Sequence, residues 1–167
     1  LALNVNHVIA RGEKRMPDMR EKITEDVKTA MKAGEKDKLS TLRMMQAAIK
    51  DRDIANRGLG KEAASDDELL QLFTKMVKQR EESAAIYDKA GRPELAAKER
   101  AEIVIIQGYM PRQLSDEETK AAIAAIIKET GAASIKDMGK VMAELRAQFS
   151  GQMDFGKASG VIKALLG

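Results

Sequence analysis

Two short strings constrain this chain more tightly than anything else in it: Ser65-Asp66-Asp67-Glu68 and Ser115-Asp116-Glu117-Glu118. Each places a serine three residues before a glutamate. In that capping-box arrangement the serine hydroxyl accepts the backbone N–H of the glutamate, and the carboxylate reaches back to the N–H of the serine. Such a string opens a helix, and apolar residues at helical spacing follow both: Leu69, Leu72, Phe73, Met76, Val77, Ala84 and Tyr87 after the first, Ile123, Ile126 and Ile127 after the second.

The rest of the chain carries similar punctuation. Asp18 after Pro17 predicts a helix over about Met19 to Ala33, closed by Gly34, with Ile23, Val27, Ala30 and Met31 inward. A second is expected over about Asp37 to Asn56, with Leu39, Leu42, Met45 and Ile49 on one face, and a short connection makes it an antiparallel neighbour of the first. The third runs from Ser65 to about Lys89. Pro93 suits the first position of a fourth, which carries Leu95, Ile103 and Ile106 as far as Gly108 and is stopped by Pro111. Tyr109 to Leu114 has no helical period and marks a boundary between modules. Beyond it, helices are expected over about Asp116 to Glu129, Ile135 to Phe149 and Phe155 to Leu166, with Ser134 and Asp154 as caps and breaks at Gly131 and Ser150-Gly151. The reading is all-α: N-terminal helical hairpins of about four helices over 19–111, then a C-terminal three-helix module over 112–167. Residues 1–18 are expected to be a leader, disordered or not native to the protein. Aromatics at 3%, with no Trp, leave few of the residues that strands favour.

Composition then removes whole classes of chemistry. The chain has no Cys and one His, His7, so disulfides, thiolate zinc sites, thiol nucleophiles and multi-histidine metal sites are excluded. No apolar run approaches the length of a membrane span, charged residues make up 33%, and no signal-peptide pattern precedes the first helix. A soluble, cytoplasmic protein without metal or cofactor is expected. Net charge is +3, too small to identify a nucleic-acid binder, but it is unevenly spread. Residues 19–60 hold ten basic against seven acidic side chains, 61–111 eight against ten, and 112–167 eight against seven.

Several strings that mimic functional motifs read as ordinary structure. Gly58-Leu59-Gly60-Lys61 lacks the spacing and the hydroxyl residue of a phosphate loop and follows a helix rather than a strand, so it is a linker. The adjacent carboxylates Glu81-Glu82, Asp66-Asp67 and Glu117-Glu118 are solvated faces or first-turn residues favoured by the helix dipole. Met44, Met45, Met76, Met138 and Met142 lie on or beside core stripes, where the flexible thioether fills gaps.

Lys78-Gln79-Arg80-Glu81-Glu82-Ser83, Tyr87, Gly91-Arg92, Leu95, Lys98-Glu99, Glu102-Ile103, Tyr109-Met110-Pro111-Arg112-Gln113-Leu114-Ser115 and Lys136-Asp137-Met138-Gly139-Lys140-Val141-Met142, taken together, closely resemble the YqeY family. Leu42-Arg43 and the tail from Gly151 to Leu166 fit as well, so the resemblance covers nearly everything after the leader. It implies a GatB/YqeY domain, similar to the C-terminal tail of the B subunit of tRNA-dependent amidotransferase and to a domain appended to some glutaminyl-tRNA synthetases, where it helps hold tRNA. Labels derived from such families carry an amidotransferase or carbon–nitrogen ligase term. That chemistry needs an activated nucleophile, Mg²⁺ ligands and a phosphate cradle, and none is visible in these helices. The expectation is therefore a non-catalytic, translation-related accessory protein. Its ligand would be tRNA, held mainly by phosphate backbone and shape, with an aminoacyl-tRNA synthetase or an amidotransferase as candidate protein partner. The alternative is an adaptor that docks on such an enzyme without touching RNA.

For RNA contacts the residues singled out are Lys136, Lys140, Arg146, Lys157 and Lys163 in the tail-like module. Lys136, Lys140 and Lys157 also lie near helix N-termini, where backbone N–H groups favour phosphate. Asp137 and Asp154 compete for those same positions, and no aromatic platform for stacking bases is evident. Arg80 and Arg92 are added from the third helix and the turn after it. Arg80, with Ser83 and Tyr87, forms one helical face that reads either as a phosphate-contacting patch or as a helix boundary in which Arg80 pairs with Glu99 or Glu102.

Overall fold

The computed structural model describes residues 18–167, so the leader and His7 lie outside the described residues. Seven α-helices follow: α1 Met19–Ala33, α2 Lys36–Gly58, α3 Asp66–Lys89, α4 Pro93–Gln107, α5 Asp116–Thr130, α6 Met138–Phe149 and α7 Phe155–Leu166, with a 3-10 turn over Ile135–Asp137 before α6. No strand occurs among the described residues, and the fold is all-α.

Both capping boxes form. Ser65 Oγ accepts Glu68 N–H at 3.3 Å while Ser65 N–H donates to Glu68 at 3.0 Å; at α5 the corresponding distances are 3.1 Å and 3.2 Å. Asp154 caps α7 by accepting from Gly156 N–H at 2.8 Å, and Asp18 caps α1 through Arg20 N–H at 3.4 Å. Gly34 and Gly131 close α1 and α5 in the left-handed conformation.

Two boundaries and one buried position differ from the sequence reading, each for a visible reason. Helix α2 runs past Asn56 to Gly58, because Asn56 is buried and sits inside the last turn: its Nδ2 donates to Glu62 O and Glu68 Oε2, while its carbonyl accepts Lys61 N–H at 2.8 Å. Ser134 is the N-cap as expected, but the first turn, Ile135–Asp137, is 3-10, with the Asp137 carboxylate accepting the N–H of Ala133 at 2.9 Å and of Ser134 at 3.4 Å, and the α-helix begins at Met138. On α4 the fully buried residue of the first turns is Ala96 rather than Leu95, which is only half-buried.

The helices build two cores. The first gathers Ile23 and Ala30 of α1, Leu42, Met45 and Ile49 of α2, Leu69, Phe73, Met76 and Val77 of α3, and Ile103 and Ile106 of α4. The second gathers Ile123 and Ile126 of α5, Val141, Leu145 and Phe149 of α6, and Ala158 and Ile162 of α7. Tyr109 and Met110 pack on the first core and Leu114 on the second, so the change of core falls within Pro111-Arg112-Gln113.

Polar ties complete the first unit. Arg20 of α1 grips both Asp53 oxygens, at 2.7 and 2.8 Å, and donates to Ala64 O at 2.9 Å; Asp53 in turn accepts Ala64 N–H at 2.9 Å. The hydrogen bonds from the Arg20 guanidinium hold the Asp53 carboxyl down at about 2. The Tyr109 hydroxyl donates to Asp26 of α1, and the Lys22 ammonium lies 5.2 Å from the centre of its ring. Burial, with the Asp26 carboxylate beside it, pushes the Tyr109 hydroxyl well above its ordinary range. The sequence signals at Tyr109 to Leu114 show only that periodicity ends there; the anchor on α1 comes from residues more than eighty positions away.

Candidate functional site

The seven singled-out cations separate into groups by what surrounds them. Arg80 is enclosed between α3, α4 and α2: its Nε donates to Glu102 at 2.9 Å, one terminal nitrogen donates to Met76 O at 3.0 Å, and the other meets the Met44 sulfur. The Arg80 and Glu102 side chains are only 11% and 16% exposed. Of the two readings of this residue, the observed contact is the helix-boundary pair, made with Glu102 rather than Glu99. Arg92, at the turn into α4, is exposed and paired with Glu94 of its own first turn at 2.7 Å. Arg80 spends its donors within the N-terminal unit, whereas Arg92 uses only its Nε there.

The five cations of the C-terminal module are all exposed. Lys140 donates to Thr130 O at 3.0 Å, which uses it as a cap for the C-terminal carbonyls of α5. The Arg146 guanidinium lies 5.8 Å from the Phe155 ring centre, so its apolar stem and planar head cover the start of α7. Lys136, Arg146, Lys157 and Lys163 have no carboxylate within ion-pair distance among the described residues. The acids of the same stretch are engaged locally. Asp137 is held below its ordinary range by the N–H groups of Ala133 and Ser134. At Asp154 burial acts upward, but the N–H groups of Gly156 and Lys157 and the Lys78 ammonium outweigh it and hold the carboxyl below its ordinary range. Glu144 accepts from Gln148 at 2.8 Å.

These cations do not form one compact patch. Lys140 and Arg146 are six residues apart on α6, about 9 Å along its axis. Lys140 stands at the α5 end of the helix and Arg146 at the α7 end.

Lys157 also lines a cleft of about 230 Å³ between α3, the connector and the start of α7, which the sequence reading did not foresee. Val77, Met110 and Met153 supply its apolar walls, and Lys78 and Lys157 both line it. Lys78 and Lys157 are outnumbered there by Glu81, Asp116 and Asp154, so the cleft interior does not favour a phosphate. Lys78 opens one of the strings that carry the family resemblance, but nothing in that string points to its partner Asp154, 76 positions further on and 3.4 Å away. Among the described residues, no cluster of three or more His, Cys, Asp or Glu side chains is arranged to hold a metal ion, and no helix is long and apolar enough to cross a membrane.

Fold and surface together define a class: a helical protein with two cores, whose C-terminal three-helix bundle carries exposed basic side chains without ion-pair partners, as the N-terminal unit also does at Lys36, Arg43, Lys50 and Arg57. The family profile described as Yqey-like protein matches residues 20–166, and the chain belongs to that family. Relatives named "Altered inheritance of mitochondria protein 41, mitochondrial" include one from Eremothecium gossypii, 34% identical over 109 residues, 64% of this chain and 58% of that protein. One from Saccharomyces cerevisiae is 35% identical over 85 residues, covering 51% and 44% of the two chains. Another from Vanderwaltozyma polyspora is 34% identical over 89 residues, covering 53% and 46%. The chain thus spans about half the length of the curated relatives it matches.

Proposed function

We propose that this chain is a non-catalytic tRNA-binding accessory protein that holds the phosphate backbone through its C-terminal module. The observation that carries the reading is the exposure of Lys136, Arg146, Lys157 and Lys163 without acidic partners among the described residues, while Asp137 and Asp154 are turned to local backbone N–H groups. Cations left unpaired in this way are available to displace the counterions around a polyanion. Their spread over α6, α7 and the turn before α6 suits an extended backbone better than a single phosphate. Choice of tRNA over other RNA rests on the resemblance to the amidotransferase tail. The family's ligase term is read as belonging to a partner enzyme.

Affinity for total tRNA and for a DNA duplex, each measured across a salt series, tests this. Binding to tRNA should weaken steeply as salt rises, and Lys157→Glu together with Lys163→Glu should lower both the affinity and the salt slope. Arg92→Glu, whose parent side chain is already paired with Glu94, should change little. Equally weak binding to both nucleic acids would refute the reading. It would favour the adaptor role instead, for which the exposed Ile86 and Val104, at 65% and 69% accessibility, are the supporting observation.

A further inference from the structure

We infer that the loop between α6 and α7 is a latch that docks the C-terminal module on α3, with Pro111-Arg112-Gln113 as its hinge. The two cores share no residue, and only this three-residue stretch separates Met110 on one from Leu114 on the other. Orientation between the modules must therefore come from contacts made elsewhere.

Those contacts converge on one short loop. Gly151 is buried against Leu70 of α3: a Cβ at Gly151 would stand 3.0 Å from Leu70 Cβ and 3.2 Å from both its methyl carbons. Gly151 also has φ of +74°, a left-handed conformation that strains any residue bearing a side chain. Two turns along α3, Lys78 Nζ meets Asp154 Oδ2 at 3.4 Å. From the hinge side, Gln113 Nε2 donates to Gly151 O at 2.6 Å and Leu114 N–H donates to Gln152 O at 2.8 Å.

Leu70 and Lys78 are eight residues apart, about two turns along α3 and roughly 80° around it, so both fall within one broad face of the helix. The loop meets α3 at both points, and the 230 Å³ cleft is the unfilled space beside them. The latch has an apolar, shape-dependent half at Leu70 and Gly151 and an ionic half at Lys78 and Asp154. Because Lys78 is half in water, salt weakens the ionic half. Opening would uncover the cleft walls Val77, Met110 and Met153, which are edge members of the two cores, and leave the centres of both in place.

The absence of cysteine makes the test direct. Spin labels at Ala97→Cys on α4 and Ala164→Cys on α7, both exposed, report the distance between modules by pulsed electron resonance. With native latch residues and low salt, one narrow distance population is expected. Gly151→Val should broaden it and move it to longer distance while helix content is retained. Lys78→Glu, which sets two carboxylates against each other from an exposed helix face, should broaden it as well, and it decides the matter if Gly151→Val fails to fold. Leu70→Ala combined with Gly151→Ala should be narrower than Gly151→Ala alone, since it removes the two methyl contacts at 3.2 Å and leaves only the Cβ contact at 3.0 Å. A broad distribution in the native-latch protein, or an unchanged narrow one in folded Gly151→Val and Lys78→Glu, would overturn the inference.

Discussion

Replacing Asp53 with alanine should destabilise the N-terminal unit by about 2–3 kcal/mol at neutral pH. Asp53 accepts two hydrogen bonds from Arg20 and one from the N–H of buried Ala64, tying α1 and α2 to the loop that leads into α3. A carboxyl held at about 2 instead of its ordinary 3.8 corresponds to an upper bound of about 2 kcal/mol, at roughly 1.4 kcal/mol for each factor of ten. The Arg20 and Asp53 side chains are 31% and 22% exposed, so solvent screening reduces this to about 1–2 kcal/mol. The Ala64 N–H left without its acceptor adds about 1 kcal/mol. Sign follows from the lowered value: the contribution is fully present above 3.8, is reduced to about half by pH 3, and is nearly gone near 2. Urea unfolding followed by circular dichroism, for native protein and Asp53→Ala, measures the difference. The midpoints should be well separated at neutral pH and draw together as the solution is acidified. Equal midpoints at neutral pH, or a gap that does not narrow with acid, would refute the argument that this ion pair holds the unit together.

Three further outcomes are expected. Ser115→Ala removes the acceptor for Glu118 N–H and should cost about 1 kcal/mol, read as an earlier melting of the C-terminal module. Leu145→Ala empties the centre of the second core, where Leu145 is fully buried, and should cost about 2–5 kcal/mol; hydrogen exchange should show the loss in α5 to α7 and leave α1 and α2 protected. In an alkaline titration followed by ultraviolet absorbance, Tyr109 should ionise later than a free tyrosine. Because its folded-state value is raised, the stability it contributes is present below about 10 and declines as pH rises further, and Tyr109→Phe should abolish that decline.

Much of this protein was legible before any coordinates, because helix starts are written locally. The hydroxyl of Ser65 and the carboxylate of Glu68 are three residues apart whatever the rest of the chain does, and the same is true at Ser115 and Glu118. Periodicity likewise named most of both cores, from Ile23 and Leu42 to Leu145 and Ile162, since one face of a helix must leave water. The candidate site was legible only as composition. That Arg80 is taken by Glu102, that Lys140 caps α5, and that Arg146 lies on Phe155 depends on which helices become neighbours. The same holds for Asp53 with Arg20, Tyr109 with Asp26, Leu70 with Gly151 and Lys78 with Asp154. Each pair is brought together by chain reversals, and nothing in the local sequence around either partner records the other. Local hydrogen bonding and helical period thus determined which segments became helices and which faces turned inward. Packing between distant segments decided which cations were neutralised, which stayed free, and how one module sits on the other.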